Sequence, residues 1–387
     1  MNFFLWLFVC FSCILQEFNE ASAIQDRVKI VYNWTVVEYA GKPEADYQSA
    51  SIVPMGFAHY VDDKKVFIAI PRKEPGILET LTEIDDDMKN KSPRIKPFSG
   101  KPTVPLVSIY QPVIDDCKRL WVLDAGSAEY TGHDAPTAQR PAIIAFDLTN
   151  AEYKEIIRHE FTSSEPLGFG GFAVDVVDPK NCNEVFVYMT NFKENSLYIY
   201  DHTKENSWTI NLKSFQPDKE TVLENFTYEV GIFGIALGKR NAQLNRSAYY
   251  ISGSSTVFWS IETNLLRVKA PRNVYTPKKI GDRGDDTDAI ALAYDPDTEV
   301  IFFAEVKKRR ITCWKTSTPF NTDNMGVVYE SDNLKFVTDI SVDSAGDLWF
   351  LSNADPPTGT KNPDDDILLL KVKASDAIQG TKCENKA

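Results

Sequence analysis

Short apolar runs recur along the chain, each reached through an alternating strand and a turn. "KVFIAIPR" from Lys65, "RLWVLDAG" from Arg119, "EVFVYMTNF" from Glu184, "AYYISGSS" from Ala248, "VIFFAEV" from Val300 and "LWFLSNA" from Leu348 start 48 to 65 residues apart. Each follows a segment closing on Asp, Pro or Gly: "GFAHYVDDK", "IYQPVIDDC", "GFAVDVVDPKN", "GIFGIALGK", "AIALAYDPDT" and "DISVDSAGD". Alternation bounded by such turns predicts antiparallel hairpins. Third strands follow several of them, as in "AIIAFDL", "SLYIYDH", "TVFWSIE", "RITCWKT" and "ILLLKVK", and no long helical period interrupts the series. Six copies of a three- or four-stranded unit predict an all-β fold, a six-bladed β-propeller with a central channel. The first strand, "RVKIVYNWTVVEY", is expected to complete the blade built by the C-terminus, so that residues 24–387 form one domain.

In a blade the first strand lies nearest the channel and the second returns beside it. Thr338 near the start of "TDISVD" and Asn353 at the end of "LWFLSN" should therefore meet at one mouth of the channel. The corresponding positions of other blades bring Tyr110, Phe172, Phe192, Phe233 and Glu305 towards that mouth. Aromatics around a few fixed polar groups are the chemistry of a small-molecule pocket. Each aromatic serves equally well as packing between blades, and Tyr110 and Phe233 stand ahead of Phe172 and Phe192 because both precede inner strands. Thr338 and Asn353, taken alone, also read as local caps of strand ends.

Composition narrows the class. Residues 1–23 hold an apolar core, "FFLWLFVCFSCIL", followed by Ala21-Ser22-Ala23, which predicts a cleaved secretory signal peptide. No later apolar run reaches the 18 or so residues of a membrane helix. The formal net charge is −13, which disfavours a nucleic-acid partner and mildly favours cationic ligands. Cys117, Cys182, Cys313 and Cys383 remain after the leader, an even set that suggests two disulfides with three possible connectivities. No CxxC spacing is present, and the acidic runs at Asp85 and Asp364 lack the glycine and spaced ligands of a calcium loop, so no metal is expected. Sequons at Asn33, Asn90, Asn225 and Asn245 fit a secretory route, Pro93 making Asn90 the weakest. Arg283-Gly284-Asp285 spells an adhesion tripeptide but is expected to be a charged turn.

"IYQPVIDDCKRLWVLDAG", "RPAIIAFDL", "FGGFAVDVVDPKNC", "YMTNF", "GIFGIALG", "DAIALAYDP", "VIFFAE" and "TDISVDSAGDLWFLSN" together resemble the Yellow and major royal jelly protein family. Within it they look most like the salivary yellow-related proteins of blood-feeding sand flies, over nearly the whole chain. The resemblance implies a secreted salivary propeller that sequesters biogenic amines, above all serotonin, in its channel as a monomer without a cofactor. It also implies that the amine nitrogen is held by Thr338, by Asn353 and by the backbone carbonyl of residue 355. The family's pattern has Phe at that third position and this chain has Asp355. An ammonium donates three hydrogen bonds and wants such oxygens, while its ring wants apolar walls and aromatic faces. Serotonin, catecholamines and histamine all fit this description.

Two other functions compete. Some Yellow relatives convert dopachrome, but His59, His133, His159 and His202 belong to three blades and no nucleophile elbow or metal triad is visible, so a non-enzyme is expected. A storage protein like the royal jelly members would need no pocket. Strand positions finally predict how the cysteines pair: Cys117 and Cys182 sit at equivalent turns of neighbouring blades, which leaves Cys313 for Cys383.

Overall fold

The computed structural model describes residues 27–85, 89–132, 135–162, 167–223, 226–353 and 366–384. The expected leader, Asp355, Asn225 and His133 lie outside these residues. Six four-stranded antiparallel sheets and one two-stranded hairpin make up the described chain, arranged as a six-bladed β-propeller. Blades 1 to 5 open with the inner strands Gly56–Tyr60, Ile109–Ile114, Phe169–Asp178, Ile232–Leu237 and Leu292–Asp295, and each sheet runs outward in chain order. Blade 6 opens with Phe336–Val342, continues through Asp347–Asn353 and Ile367–Lys373, and is closed by Lys29–Trp34 from the other end of the chain. In that closure Lys29 pairs with Lys371 and Trp34 with Ile367.

Burial explains the sequence rhythm. A blade's second strand is covered on both faces by its neighbours, and Arg119–Asp124 and Val300–Glu305 are buried at every position. Such strands read as unbroken apolar runs instead of alternating ones. The outermost strand of blade 2, Glu155–Glu160, is covered on one side and alternates. The cores follow the same geometry, with one apolar cluster between each pair of neighbouring blades. A smaller seventh cluster joins Ile290, Val306 and Phe336 near the axis, with Leu223 and Phe233 packed against it.

Turns between first and second strands carry a local device. Asp343 accepts hydrogen bonds from the Ala345 and Asp347 amides at 2.9 and 3.0 Å and from Trp349 Nε1 at 2.8 Å. Asp115 in blade 2 does the same for the Cys117 and Arg119 amides and for Trp121 Nε1. One carboxylate thus fixes both the turn and the indole six residues on. Two disulfides tie the rim: Cys117–Cys182 joins blade 2 to blade 3, and Cys313–Cys383 fastens the C-terminal segment to blade 5. Each closes a loop of 65 or 70 residues, a constraint on the unfolded chain of roughly 4 kcal/mol in the chain-entropy account.

Within the adhesion tripeptide Gly284 and Asp285 are exposed in a turn, but Arg283 is not. Arg283 is 2 % exposed, its guanidinium donates to the carbonyls of Thr287 and Ser255, and it lies 5.8 and 5.9 Å from the ring centroids of Phe258 and Phe303. The side chain that such recognition needs is committed to the junction of blades 4 and 5.

Candidate ligand-binding site

The inner strands of four blades are irregular at the same level of the disc. Pairing with the second strand skips between Ile109 and Pro112 in blade 2, Phe169 and Phe172 in blade 3, Ile232 and Gly234 in blade 4, and Val337 and Asp339 in blade 6. The skipped residues are Tyr110 and Gln111, Gly170 and Gly171, Phe233, and Thr338. All six line a cavity in the channel, together with Met55, Asp339 and the segment Ile290–Leu292, among others. A bulge releases a residue from the ladder and re-aims its side chain. Here four bulges turn residues out of the blades and into the axis. The void measures about 510 Å³ when the open solvent at its mouth is counted in.

Small residues permit the convergence. A Cβ on Gly56 would meet the Tyr110 carbonyl at 2.4 Å, and one on Gly234 would meet the Ile290 carbonyl at 2.8 Å. Thr190, wholly buried, locks two bulges together: its hydroxyl accepts from the Gly171 amide at 2.9 Å and lies 2.6 Å from the Phe233 carbonyl.

The polar end of the cavity belongs to blades 6, 1 and 2. Thr338 and Asn353 do meet: Asn353 Nδ2 donates to Thr338 Oγ1 at 3.1 Å and to the Pro54 carbonyl at 2.6 Å. The Pro54 carbonyl can only accept, which fixes the amide orientation. Asn353 Oδ1 is then buried with no donor among the described residues. Thr338 lines the cavity while Asn353, fully buried, stands directly behind it.

Asp339, which nothing in the sequence singles out, is 2 % exposed and also lines the cavity. Its carboxylate accepts from the Phe57 amide at 3.0 Å and from Gln111 Nε2 at 2.7 Å. Gln111 in turn accepts from the Phe172 amide at 3.3 Å, so one glutamine spans from blade 3 to blade 6. Burial pushes the Asp339 carboxyl up to about 7, against the pull of the Phe57, Gln111 and Ile340 donors.

Aromatic residues of blades 2 and 4 also line the cavity. Phe233 lines the cavity, and Phe192 stacks on it from behind at 5.4 Å between centroids. Tyr110 donates to Glu129, and Lys73 Nζ lies 5.8 Å from its ring centroid. Burial, with the Glu129 charge beside it, holds the Tyr110 hydroxyl well above its ordinary value. Phe172 does not reach the cavity: pairing resumes there, opposite Met189, and its ring packs in the core between blades 2 and 3. Glu305 is buried against Arg310 Nε at 2.6 Å and is likewise absent from the lining.

The described histidines sit apart from this cavity. His59 Nδ1 is 2.6 Å from Asp343 Oδ2, His159 pairs with Ser207 and His202 with the Tyr200 hydroxyl. Among the described residues no three His, Cys, Asp or Glu side chains converge as metal ligands, and no helix is long and apolar enough to cross a membrane.

The family profile described as Major royal jelly protein matches residues 107–383. The chain belongs to the major royal jelly protein family. Yellow-related salivary protein ASP4 of Phlebotomus orientalis is 44 % identical over 97 % of this chain and 98 % of its own. Yellow-related salivary protein M35 of Phlebotomus duboscqi is 45 % identical over 93 % of this chain and 95 % of its own. Among solved structures, a calcium-binding protein, regucalcin, from Agrobacterium tumefaciens superposes with a TM-score of 0.50 at 11 % identity, over 87 % of this chain and 96 % of that one. At that identity the likeness speaks for the propeller fold alone. Like its salivary relatives, this member of the royal jelly family is a yellow-type protein, and its two disulfides suit an oxidising, secretory compartment.

Proposed function

We propose that this protein is secreted in saliva and sequesters biogenic amines, serotonin first among them, in the propeller channel without transforming them. In a feeding insect such removal would counter the host's haemostatic and inflammatory signals. The reading is carried by one observation: Thr338, with Asn353 hydrogen-bonded behind it, lines the same cavity as the aromatic ring of Phe233. Its oxygens match the three donors of an ammonium, and its aromatic surface matches an indole or catechol. The acidic balance of the chain favours the entry of cations.

A scavenger binds stoichiometrically and returns its ligand intact. Calorimetric titration with serotonin, histamine and dopamine is expected to give one site per chain, and denaturing the serotonin complex is expected to release unchanged serotonin. Recovery of an altered amine, or turnover of dopachrome, would make the protein an enzyme instead. Absence of both binding and turnover would leave the storage role.

A further inference from the structure

We propose that Asp339 is the counter-charge of the channel, taking the ammonium of a bound amine directly on its carboxylate beside the Thr338 hydroxyl. The inference rests on the amine-binding reading above and adds to it an ion pair and a linked proton. Asp339 lines the cavity and is 2 % exposed, yet its carboxylate has only the Phe57 amide, Gln111 Nε2 and the Ile340 amide as donors among the described residues. A carboxylate offers about four lone-pair positions, so acceptor capacity remains unspent on a group that faces the void.

Among the described residues no cation pairs with it. The strands packed against that of Asp339 carry His59, Tyr60, Tyr110, Tyr294, Asp295, Glu305 and Asp347, the last two paired with Arg310 and Lys371, and Asp343 follows in the turn. None is a partner of its carboxylate: His59 pairs with Asp343, Tyr60 donates to the Leu148 carbonyl, Tyr110 donates to Glu129, and Asp295 accepts from Thr298. Tyr294 stacks on Tyr249. A buried carboxyl without a charged partner is costly to ionise, which is why its titration lies near 7.

The sign of the linkage follows. Below that point the free site holds a proton, and an entering ammonium must displace it, so affinity falls as pH falls and a proton leaves with each amine bound. Above it the carboxylate is already charged and affinity levels off. The aliphatic amine of serotonin stays protonated through this window, so the titrating group belongs to the protein.

The test is calorimetry of the intact protein with serotonin at about pH 5, 7 and 8.5, in pairs of buffers with different ionisation heats. The neutral analogue 5-hydroxytryptophol, with a hydroxyl in place of the ammonium, serves as control. The expected result is a dissociation constant that tightens by up to about tenfold per pH unit below neutrality, with up to one proton released per serotonin. The alcohol should show no such slope, or no binding. Asp339→Asn should lose the slope and bind serotonin at least about tenfold more weakly at pH 8.5; if it does not fold, proton release from the natural protein decides. His59→Gln should keep the slope, and its loss there would assign the proton to His59 and overturn the proposal. Serotonin bound with no pH dependence and no proton exchange would refute the ion pair while leaving amine binding intact. No serotonin binding at any pH would refute both.

Discussion

Asp339 on the inner strand of blade 6 and Asp343 in the turn that follows it stand four residues apart, and both are largely shielded from water, but they are held in opposite ways. Asp343 is crowded by donors: His59 Nδ1 at 2.6 Å, Trp349 Nε1 at 2.8 Å and the amides of Ala345 and Asp347. Burial raises its carboxyl, but these hydrogen bonds and the nearby imidazole outweigh burial and hold it below the usual range. Asp339 has donors from Phe57, Gln111 and Ile340 but no charged partner among the described residues, and burial wins. The first carboxylate is spent on the fold. The second keeps its capacity at the edge of a cavity. The bulge at Thr338 adjoins Asp339 alone and turns that end of the strand towards the channel, while Asp343, five residues past the bulge, keeps the turn geometry shared with blade 2.

Replacing each member breaks the comparison in a different place. Asp343→Ala should have the largest effect, a loss of about 3–5 kcal/mol in denaturant unfolding, because it strands His59 and the Trp349 indole and undoes the turn. Its folded-state value is depressed, so its contribution is present above the unfolded value near 4 and is lost as pH falls through the lower folded one. Asp339 runs the other way. Its folded-state value is raised to about 7, so stability present below pH 4 is lost as pH rises towards and through 7. Unfolding measured between about pH 4 and 8 should show the unliganded protein losing up to about 4 kcal/mol relative to Asp339→Asn over that window. Parallel curves for the two proteins would contradict this assignment.

Most of the propeller was legible because burial writes itself into composition. "LWVL" and "VIFFA" are unbroken apolar runs since neighbours cover both faces of those strands, and the spacing of such runs gave six blades. The pairing of Cys117 with Cys182 followed from equivalent turns in adjacent blades. The site was less legible. A bulge shifts a strand by one or two residues without changing its apolar content, so nothing in "IYQPVI" or "FGGFAV" tells that Tyr110, Gln111, Gly170 and Gly171 leave the ladder. For the same reason the sequence could not say that Phe172, past the bulge, faces the core. Asp339 and Asp343 look alike in "TDISVD"; only the partners that other blades supply distinguish them. A signal was present in retrospect: Asp115 and Asp343 each precede a Trp by six residues, whereas Asp339 has no such companion.

Two smaller effects sharpen the contrast between site and scaffold. Thr338→Ala and Asn353→Ala should each weaken serotonin binding by about 1.5–3 kcal/mol, the range for hydrogen bonds to a charged group. The double variant should depart from their sum, because the two side chains share a hydrogen bond. They should differ in stability, since Asn353→Ala also leaves the Pro54 carbonyl without its donor, at about 1–3 kcal/mol, and Thr338→Ala orphans no comparable group. Tyr110→Phe should change least: it keeps the ring, removes the contact to Glu129, and is expected to shift serotonin affinity by no more than about threefold. A larger loss would move the ammonium away from blade 6 and towards Tyr110.

The most direct measurement is a side-by-side calorimetric titration of serotonin into the natural protein and Thr338→Ala, with circular dichroism and thermal unfolding confirming that both are folded. Amine binding in the channel predicts one site per chain in the natural protein and a dissociation constant at least about tenfold weaker in the variant. Equal affinity in the two folded proteins, or no heat of binding in either, would contradict it.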